Sequence, residues 1–494
     1  MDGLLSKAVR ESVLSVVTPL QKEVMLQQSI IRSVSDALRD RAEQIGRSYA
    51  FIEPEGSTGK KQTQLRGASD IDLFVGLIPE DYEHTLGLPM REREAALRQT
   101  MEDIVNDWFI PAARLVSAEN IQKTYSQHPY LSLAHSGLEV DILPCFNLSA
   151  SDIKERGPIT AVDRTVHHTR YVSSRLNPRL REDVRILKSF VRACHAYGDK
   201  CAVGRMGFTG YSLELLVLFG GGLEGASQRL LSLRENPQDP DGRTQKELRE
   251  TKGLQDDYVY IMDPTDTSRN VASSFTPRSC NWVIHQMSQL LHTLRTGNDN
   301  QVVEMLLERP IPMDPLPDSI RNHSFALEFR SDGSAHYTVL RDKLWSVMQR
   351  LTHEMISESS GERRFGRVLS EMYFEGDRYA VGLLVERPVI ESSFVRRGPP
   401  VILKEAVEKF RSEHQMTFEK DGYVWTRTDR VWTRAEDMAR SFMKHSPVDG
   451  LVPVEDRSVV TARVLNTLYR YVMRIERLFD NGESDKSETR AGGA

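Results

Sequence analysis

Cysteine is scarce in this chain: the 494 residues contain four, Cys145, Cys194, Cys201 and Cys280, far apart and never as Cys-x-x-Cys. That spacing offers neither a disulfide framework nor a zinc site and predicts reduced, mostly buried thiols. Long apolar runs are missing too, and Met1-Asp2-Gly3-Leu4-Leu5 lacks the basic, apolar and small-residue succession of a secretory leader. No membrane partner is therefore expected, and a cytoplasmic location is. Basic excess is the third absence. With a formal net charge of −5, any nucleic-acid partner must be held by local basic stripes rather than by the field of the whole chain. What is present, 39% hydrophobic residues, suffices for real cores in about two to four domains.

The most informative stretch is Gly56-Ser57 followed by Ser69-Asp70-Ile71-Asp72-Leu73-Phe74-Val75. Alternation along a strand puts Asp70 and Asp72 on one face and Ile71 on the other. Two carboxylates this close repel strongly unless a hard divalent cation lies between them. A third, Asp141, stands roughly 70 residues later in the alternating run Leu138-Glu139-Val140-Asp141-Ile142-Leu143-Pro144, so two neighbouring strands could present three carboxylates together. Such a set suits two-metal phosphoryl transfer, where one cation activates an attacking hydroxyl and the other neutralises a triphosphate. A lone Asp-x-Asp also occurs as ordinary polar residues at strand ends; the Gly-Ser turn upstream and the acid downstream favour a site. Near the C-terminus Arg463, Arg470, Arg474 and Arg477 share a helical face opposite Val464, Leu468, Val472 and Ile475, which reads either as an RNA grip or as a solvated surface.

The remaining pattern is organised in three parts. Thr18 as N-cap, Pro19 at the first helical position and Gln21 closing a capping box predict a helix to about residue 45. Strands are expected at 49–52, 113–116, 130–133 and around Asp141, with a helix from 90 to about 108, giving a mixed α/β catalytic unit over 1–155. From 156 to 305 the texture is helical, notably 180–195 and 211–219, with 204–210 as the turn between them and 236–242 as a polar surface loop. The proline-rich run 310–317 opens a third part, 306–494, where strand-like 325–329 and 379–385 alternate with helices. The small, charged tail 481–494 is expected to be disordered.

Motifs in the helical part extend the picture: Ala161-Val162-Asp163-Arg164-Thr165-Val166-His167-His168, Asp183-Val184-Arg185-Ile186-Leu187-Lys188, Tyr197-Gly198, Gly207-Phe208-Thr209-Gly210-Tyr211-Ser212-Leu213-Glu214 and Asp263-Pro264-Thr265-Asp266-Thr267-Ser268-Arg269-Asn270. In this order they resemble the archaeal-type, class I CCA-adding enzymes, tRNA nucleotidyltransferases of the polymerase-β-like superfamily. The resemblance covers most of the first 300 residues and the remainder more faintly. It implies an α+β fold: a mixed-sheet, polymerase-β-like palm, a helical central domain and α+β C-terminal RNA-binding modules.

By that resemblance Asp70, Asp72 and Asp141 hold two Mg²⁺ ions, and Gly56, Ser57 and either Lys60 or Lys61 hold the triphosphate. Lys61-Gln62-Thr63 fits the family's Arg-Asn-Thr best, although the chain has lysine where arginine is usual and one extra residue in the turn. Asp70 stands where some relatives have glutamate. Thr165, Lys188 and Tyr197 match triphosphate contacts, His128 another active-site position, and Arg269 the arginine that helps select C or A. Taken singly, Lys188 and Arg269 also read as solvated charges, Tyr197 as a helix-end aromatic, Thr165 as an N-cap and His128 as a core or loop histidine. In the C-terminal part the stretches around Arg396-Arg397 and Tyr423-Val424-Trp425-Thr426-Arg427 resemble an RNA-holding region, with Arg470 and Arg474 as further contacts; core packing is the other reading for Trp425 and Trp432. The implied activity is untemplated addition of CMP, CMP and AMP, from CTP and ATP, to the 3′ end of tRNA gripped at its acceptor stem, with release of pyrophosphate. A homodimer is compatible. The alternatives are a poly(A) polymerase or other terminal nucleotidyltransferase, and an inactive RNA-binding relative.

Overall fold

Residues 4–67, 70–125 and 128–479 are described by the computed structural model; Ser69, Gln127 and the 481–494 tail lie outside them. The chain divides into two compact units, one of Met1–Tyr197, Phe208–Phe275 and Gln286–Glu308, the other of Gly198–Gly207, Thr276–His285 and Arg309–Ala494.

The first unit is built on a five-stranded mixed sheet. Its strands are β1 (Phe51–Pro54), β2 (Ile71–Leu77), β3 (Glu119–Tyr125), β4 (Pro129–His135) and β5 (Leu138–Phe146), in the order β1-β2-β5-β4-β3. β2 and β5 are parallel, and the other pairs are antiparallel. Alternation decides the two faces. Ile71, Leu73, Val75 and Leu77 of β2 and Val140 and Ile142 of β5 bury into one core with Ile30, Val34 and Leu38 of the helix Gln21–Gln44 and with Trp108 and Phe109. The intervening residues turn the other way, where Phe74 and Cys145 pack on Val166. The sheet is thus apolar on one side and carries Asp72 and Asp141 on the other.

Local sequence accounts for the helices around that second face. Asn177 caps Pro178–Ala193 by accepting from Leu180 N at 2.9 Å, with Pro178 in the first turn where its missing N–H costs nothing. Thr209 caps Gly210–Gly220 by accepting from Ser212 N at 3.3 Å, and Gly221 ends it in the left-handed region at φ +68°. A short hairpin, β6 (Met262–Asp263) with β7 (Asp266–Asn270), completes the unit.

Two expectations are corrected. Residues 113–116 are not a strand: Ile110–Leu115 is helical and continues the turn Val105–Phe109, with Pro111 in its first turn, and the strand begins instead at Glu119. The short run Ala113-Arg114-Leu115-Val116 is compatible with either state, and burial of Ala112 and Ala113 against the first core decides for helix. The helix Gln21–Gln44 is capped at Leu20, whose N–H is taken by Glu23; Thr18 instead closes the preceding helix Lys7–Val17, donating to Leu14 O.

The second unit holds an antiparallel sheet β14-β8-β10-β9, from β8 (Ser324–Ser331), β9 (Val368–Glu375), β10 (Arg378–Val385) and β14 (Leu451–Val454). The helices Tyr337–Ile356 and Ala435–His445 cover one face, and Val459–Thr467 the other. Gly382 lets the last of these approach, since a Cβ there would lie 3.0 Å from Val464 and Leu468. A second sheet, β11 (Ser393–Pro400), β13 (Tyr423–Asp429) and β12 (Thr417–Lys420), packs on the helix Lys404–Glu413 through Val407, Phe410 and Val424. Among the described residues no helix is long and apolar enough to cross a membrane.

Candidate active site

Asp72 and Asp141 are register partners on the parallel strands β2 and β5, so their side chains rise from adjacent positions on the polar face. Burial first, then the charges of Asp141 and Asp70, push the Asp72 carboxyl up to about 6. Asp141 is raised as well, by burial before all else, with a hydrogen bond from Ser132, its partner on β4, opposing and Glu139 and Asp70 adding to the rise. Asp70 sits exposed just ahead of β2, its carbonyl fixed by Thr58 Oγ1 at 3.1 Å. Asp72 and Asp141 are thus both raised, with the nearby charge of Asp70 adding to each and only Lys61 opposing at Asp72, a set of acids short of counter-charge. Among the described residues no three acidic, histidine or cysteine side chains are gathered closely enough to hold a metal ion.

The turn after β1 closes over Asp72. Glu55 N donates to Asp72 O at 2.8 Å, and Gly56, at φ +66°, lies so near that a Cβ would stand 2.3 Å from Asp72 Oδ2. Only glycine meets both conditions. Ser57 is half-buried, with its carbonyl accepting from Thr63 N at 3.0 Å. Behind it Glu55 is fully buried and Oε2 has no hydrogen-bond partner; burial pushes this carboxyl up to about 7.

The helix Pro178–Ala193 braces the loop that follows. Arg181 donates to Lys61 O at 3.2 Å, Arg185 to Gln62 O at 2.6 Å and Gln64 O at 3.2 Å, and Lys188 to Thr63 O at 3.2 Å. The two candidate lysines part here. Lys60 is exposed and paired with Glu53 at 2.6 Å, whereas Lys61 is buried and reaches Glu214 at 2.9 Å. Lys188 meets the same carboxylate at 2.8 Å, and Thr63 Oγ1 donates to it at 2.5 Å. Burial alone would raise Glu214, but the ammonium groups of Lys188 and Lys61 override it and hold the carboxyl down at about 2. Tyr197 belongs to the same wall: a Cβ on Gly210 would stand 3.0 Å from its hydroxyl and 3.4 Å from Lys188 Nζ.

A second carboxylate anchors the far wall. Asp263, fully buried, accepts from Tyr211 OH (3.0 Å), Thr265 N (2.9 Å) and Thr265 Oγ1 (2.8 Å) on one oxygen, and from His168 Nε2 (2.6 Å) and Arg269 Nη1 (3.0 Å) on the other. Burial pushes the Asp263 carboxyl up, but the hydrogen bond and charge of His168, with those from Thr265, hold it well below the usual range. His168 stacks on Tyr211 at 4.2 Å, and burial, opposed by Asp263, lowers its imidazole.

Asp72, Asp141, Gly56, Ser57, Lys61, Lys188, Tyr197 and Arg269 therefore all belong to the first unit. Thr165 opens the helix Thr165–Ser173, half-buried. His128 precedes β4, its Nδ1 buried without a partner, and burial and then Arg98 lower its imidazole. Sequence reasoning passed over Tyr130, whose hydroxyl is pushed up to about 12 by burial and then by Asp141 and Asp72. It also gave no role to His168, although the motif Asp163 to His168 ends on it, nor to Glu214 and Asp263 as anchors.

The predicted RNA contacts lie in the second unit. Arg396 stands over Phe410 at 5.9 Å and Arg397 over Tyr423 at 4.8 Å. Arg470 is tied to Asp314 at 3.1 Å and Arg474 to Arg470 O at 3.1 Å; of the apolar stripe, Val464, Leu468 and Val472 are buried, whereas Ile475 is only half-buried. Trp432 packs against the core of the larger sheet.

Residues 182–297 match the family model described as tRNA nucleotidyltransferase, second domain. Beyond that segment the chain is similar to CCA-adding enzymes of archaea: 28% identical to that of Methanopyrus kandleri over 87% of this chain and 85% of the relative, 26% to that of Archaeoglobus fulgidus over 88% and 89%, and 24% to that of Methanosarcina mazei over 84% and 83%. Among solved structures, Cid1, described as an RNA terminal uridylyl transferase, covers 62% of this chain and 99% of its own at 16% identity and a TM-score of 0.44. Escherichia coli CdnC with ATP covers 61% and 96% at 18% identity and a TM-score of 0.42.

Proposed function

We infer that this chain, a member of the archaeal-type CCA-adding tRNA nucleotidyltransferases, transfers CMP, CMP and AMP in turn from CTP and ATP to the 3′ end of tRNA. The observation that carries the chemistry is the side-by-side placement of Asp72 and Asp141 beneath the glycine turn at Gly56, in a chain whose archaeal relatives match it nearly end to end.

Asp70, Asp72 and Asp141 would hold two Mg²⁺ ions, and the donor set fits: three carboxylates whose mutual repulsion a hard cation relieves. Bound there, the ions would lower the pKa of the terminal ribose 3′-hydroxyl and neutralise charge on the triphosphate. The other groups bind and orient. The backbone of Gly56 and the hydroxyl of Ser57 offer donors to the phosphates, and Lys61, Lys188, Tyr197 and Thr165 neutralise and align them. The 3′-oxygen attacks the α-phosphorus in line, one P–O bond forms as the bond to the β-phosphate breaks, and pyrophosphate leaves. Arg269, fixed by Asp263, offers a rigid pair of donors to the edge of cytosine or adenine. Residues 1–155 act as the catalytic domain, 156–305 complete the nucleotide pocket, and 306–494 grip the acceptor stem through Arg396, Arg397, Arg470 and Arg474.

Purified protein given tRNA that ends before CCA, with each nucleoside triphosphate singly and in pairs, tests the reading. CTP alone should add two residues, and ATP should then add one. Long A-tails from ATP alone would mark a poly(A) polymerase, and tRNA binding without incorporation an inactive relative.

A further inference from the structure

The second unit contains a cavity of about 500 Å³ that the transfer chemistry does not use, within the roughly 300–1,000 Å³ range of ligand pockets. Four guanidinium groups line it, Arg364, Arg387, Arg427 and Arg430, against one lining carboxylate, Glu391. In a chain of net charge −5, Glu391 and the Glu358 behind the wall still leave guanidinium in excess of carboxylate around this hollow, an excess that an anionic guest would relieve.

Two of the four are fixed in advance. Arg430 is stacked on Phe394 at 4.7 Å and ion-paired with the buried Glu358, which also binds Arg364 at 2.5 Å. One carboxylate thus serves two guanidiniums. The Arg430 side chain is nine-tenths buried, and its Nε lacks a hydrogen-bond partner, an uncompensated donor of the kind that calls for a reason beyond folding. Arg387 and Arg427 stand exposed at the rim, and Val389 and Val395, 60% and 39% exposed, supply apolar surface beside them. Guanidiniums next to apolar surface suit a guest that is anionic at one end and flat and apolar at the other, which describes a nucleotide.

The choice between a free nucleotide and one within a strand follows from what continues beyond the cavity. β11 is an edge strand, and two positions past Val395, on the same exposed face, it carries Arg397. A further cation roughly 7 Å along that face matches the neighbouring phosphodiester of a strand rather than a single phosphate. Resting on the tRNA-nucleotidyltransferase reading, we propose that this cavity receives one unpaired nucleotide of the RNA substrate, its phosphate on Arg387 and Arg427 and its base against the Val389–Val395 wall.

The test uses the full chain and tRNA lacking CCA. The double variant Arg387→Ala/Arg427→Ala should raise the KM for tRNA and the filter-binding Kd about tenfold. It should also flatten the dependence of log Kd on log salt by about one unit for each phosphate no longer neutralised. Arg440→Ala, which removes a surface guanidinium elsewhere in the unit, should leave both constants unchanged. tRNA carrying a photoreactive thiouridine should cross-link to the segment 389–395 in the wild type and not in the double variant. An unchanged KM, Kd and salt slope would overturn the proposal, as would equal protection of Arg387 from an arginine-modifying reagent by free CMP and by tRNA. Filter binding needs no turnover, so a wild type that binds tRNA but transfers nothing defeats the functional reading alone, and an active wild type matched by its double variant defeats this pocket alone.

Discussion

Arg269 Nη1 and His168 Nε2 share one oxygen of Asp263, at 3.0 and 2.6 Å. A single buried carboxylate therefore sets the orientation of the arginine proposed to read the base and of the imidazole stacked on Tyr211. Asp263→Asn keeps the shape but turns one acceptor oxygen into a donor: on the shared side the amide nitrogen faces Arg269 and His168, and on the other it faces the Thr265 N–H, so the anchor is disrupted either way. We expect kcat/KM for CTP and ATP to fall about 10- to 100-fold, corresponding to one or two charge-assisted hydrogen bonds. Incorporation of UTP and GTP should fall less, so discrimination narrows. Single-nucleotide addition with each triphosphate measures this, and an equal loss for all four bases would assign Asp263 to folding alone.

Asp72→Asn and Asp141→Asn should each reduce transfer by about a thousandfold or more, since each removes a charge proposed to hold a cation at the reacting phosphate. EDTA should do the same to the wild type, and Mg²⁺ should restore only the wild type. Retained tRNA binding in both variants separates lost chemistry from lost structure.

The pH dependence of stability has a determined sign. The Glu55 carboxyl is raised from 4.5 to about 7 and that of Asp72 from 3.8 to about 6, burial leading in both. A raised acid favours the protonated folded state, so its contribution is complete below the unfolded pKa and is lost as pH rises through the folded one. In EDTA the melting temperature should fall between pH 5 and pH 8. For Glu55 the loss is on the order of 3 kcal/mol, and it is smaller for the part-exposed Asp72. Glu55→Gln should flatten the profile and Mg²⁺ should offset the Asp72 part; calorimetry across that range would refute the assignment if Glu55→Gln kept the wild-type slope.

Glu214 joins two lysines from different parts of the first unit, at 2.9 and 2.8 Å. Glu214→Gln leaves two buried ammonium groups facing an amide, and removing one partner of a buried pair costs about 3–5 kcal/mol. The melting temperature should drop accordingly and the KM for CTP should rise as Lys61 and Lys188 lose their alignment. Adding Lys61→Met should recover part of the stability and none of the KM, a non-additivity that a double-mutant cycle reads directly.

What was legible in the sequence is what depends on local alternation. Asp72 and Asp141 share a face because strand period fixes it, and the buried Ile71 and Val140 on the other side follow from the same rule. The caps at Asn177 and Thr209 are local too, yet neither is read from the sequence, and the cap that is, Thr18, closes a helix instead of opening one. Glu214 and Asp263 are opaque in sequence because their roles depend on which partners the fold delivers: Lys61 lies 153 positions from Glu214, and no short-range pattern encodes that meeting. The helix at 110–115 differs from the expected strand for a related reason, as a run of four residues, three of them apolar, takes the state that packing selects.

Gly56 offers the sharpest separation of strain from function. At φ +66° an alanine there suffers the left-handed backbone cost of about 1 kcal/mol, and its Cβ would also stand 2.3 Å from Asp72 Oδ2. Gly46, at φ +63° with nothing within 4 Å of its ideal Cβ, shares the first cost and not the second. Gly46→Ala and Gly56→Ala should therefore both lower stability modestly, but only Gly56→Ala should displace the Asp72 carboxylate, cutting transfer about 100-fold or more and raising the Mg²⁺ concentration needed for half-maximal rate. Equal activities in the two variants would mean that the turn does not hold Asp72 in place, and the juxtaposition of glycine and carboxylate would lose its functional meaning.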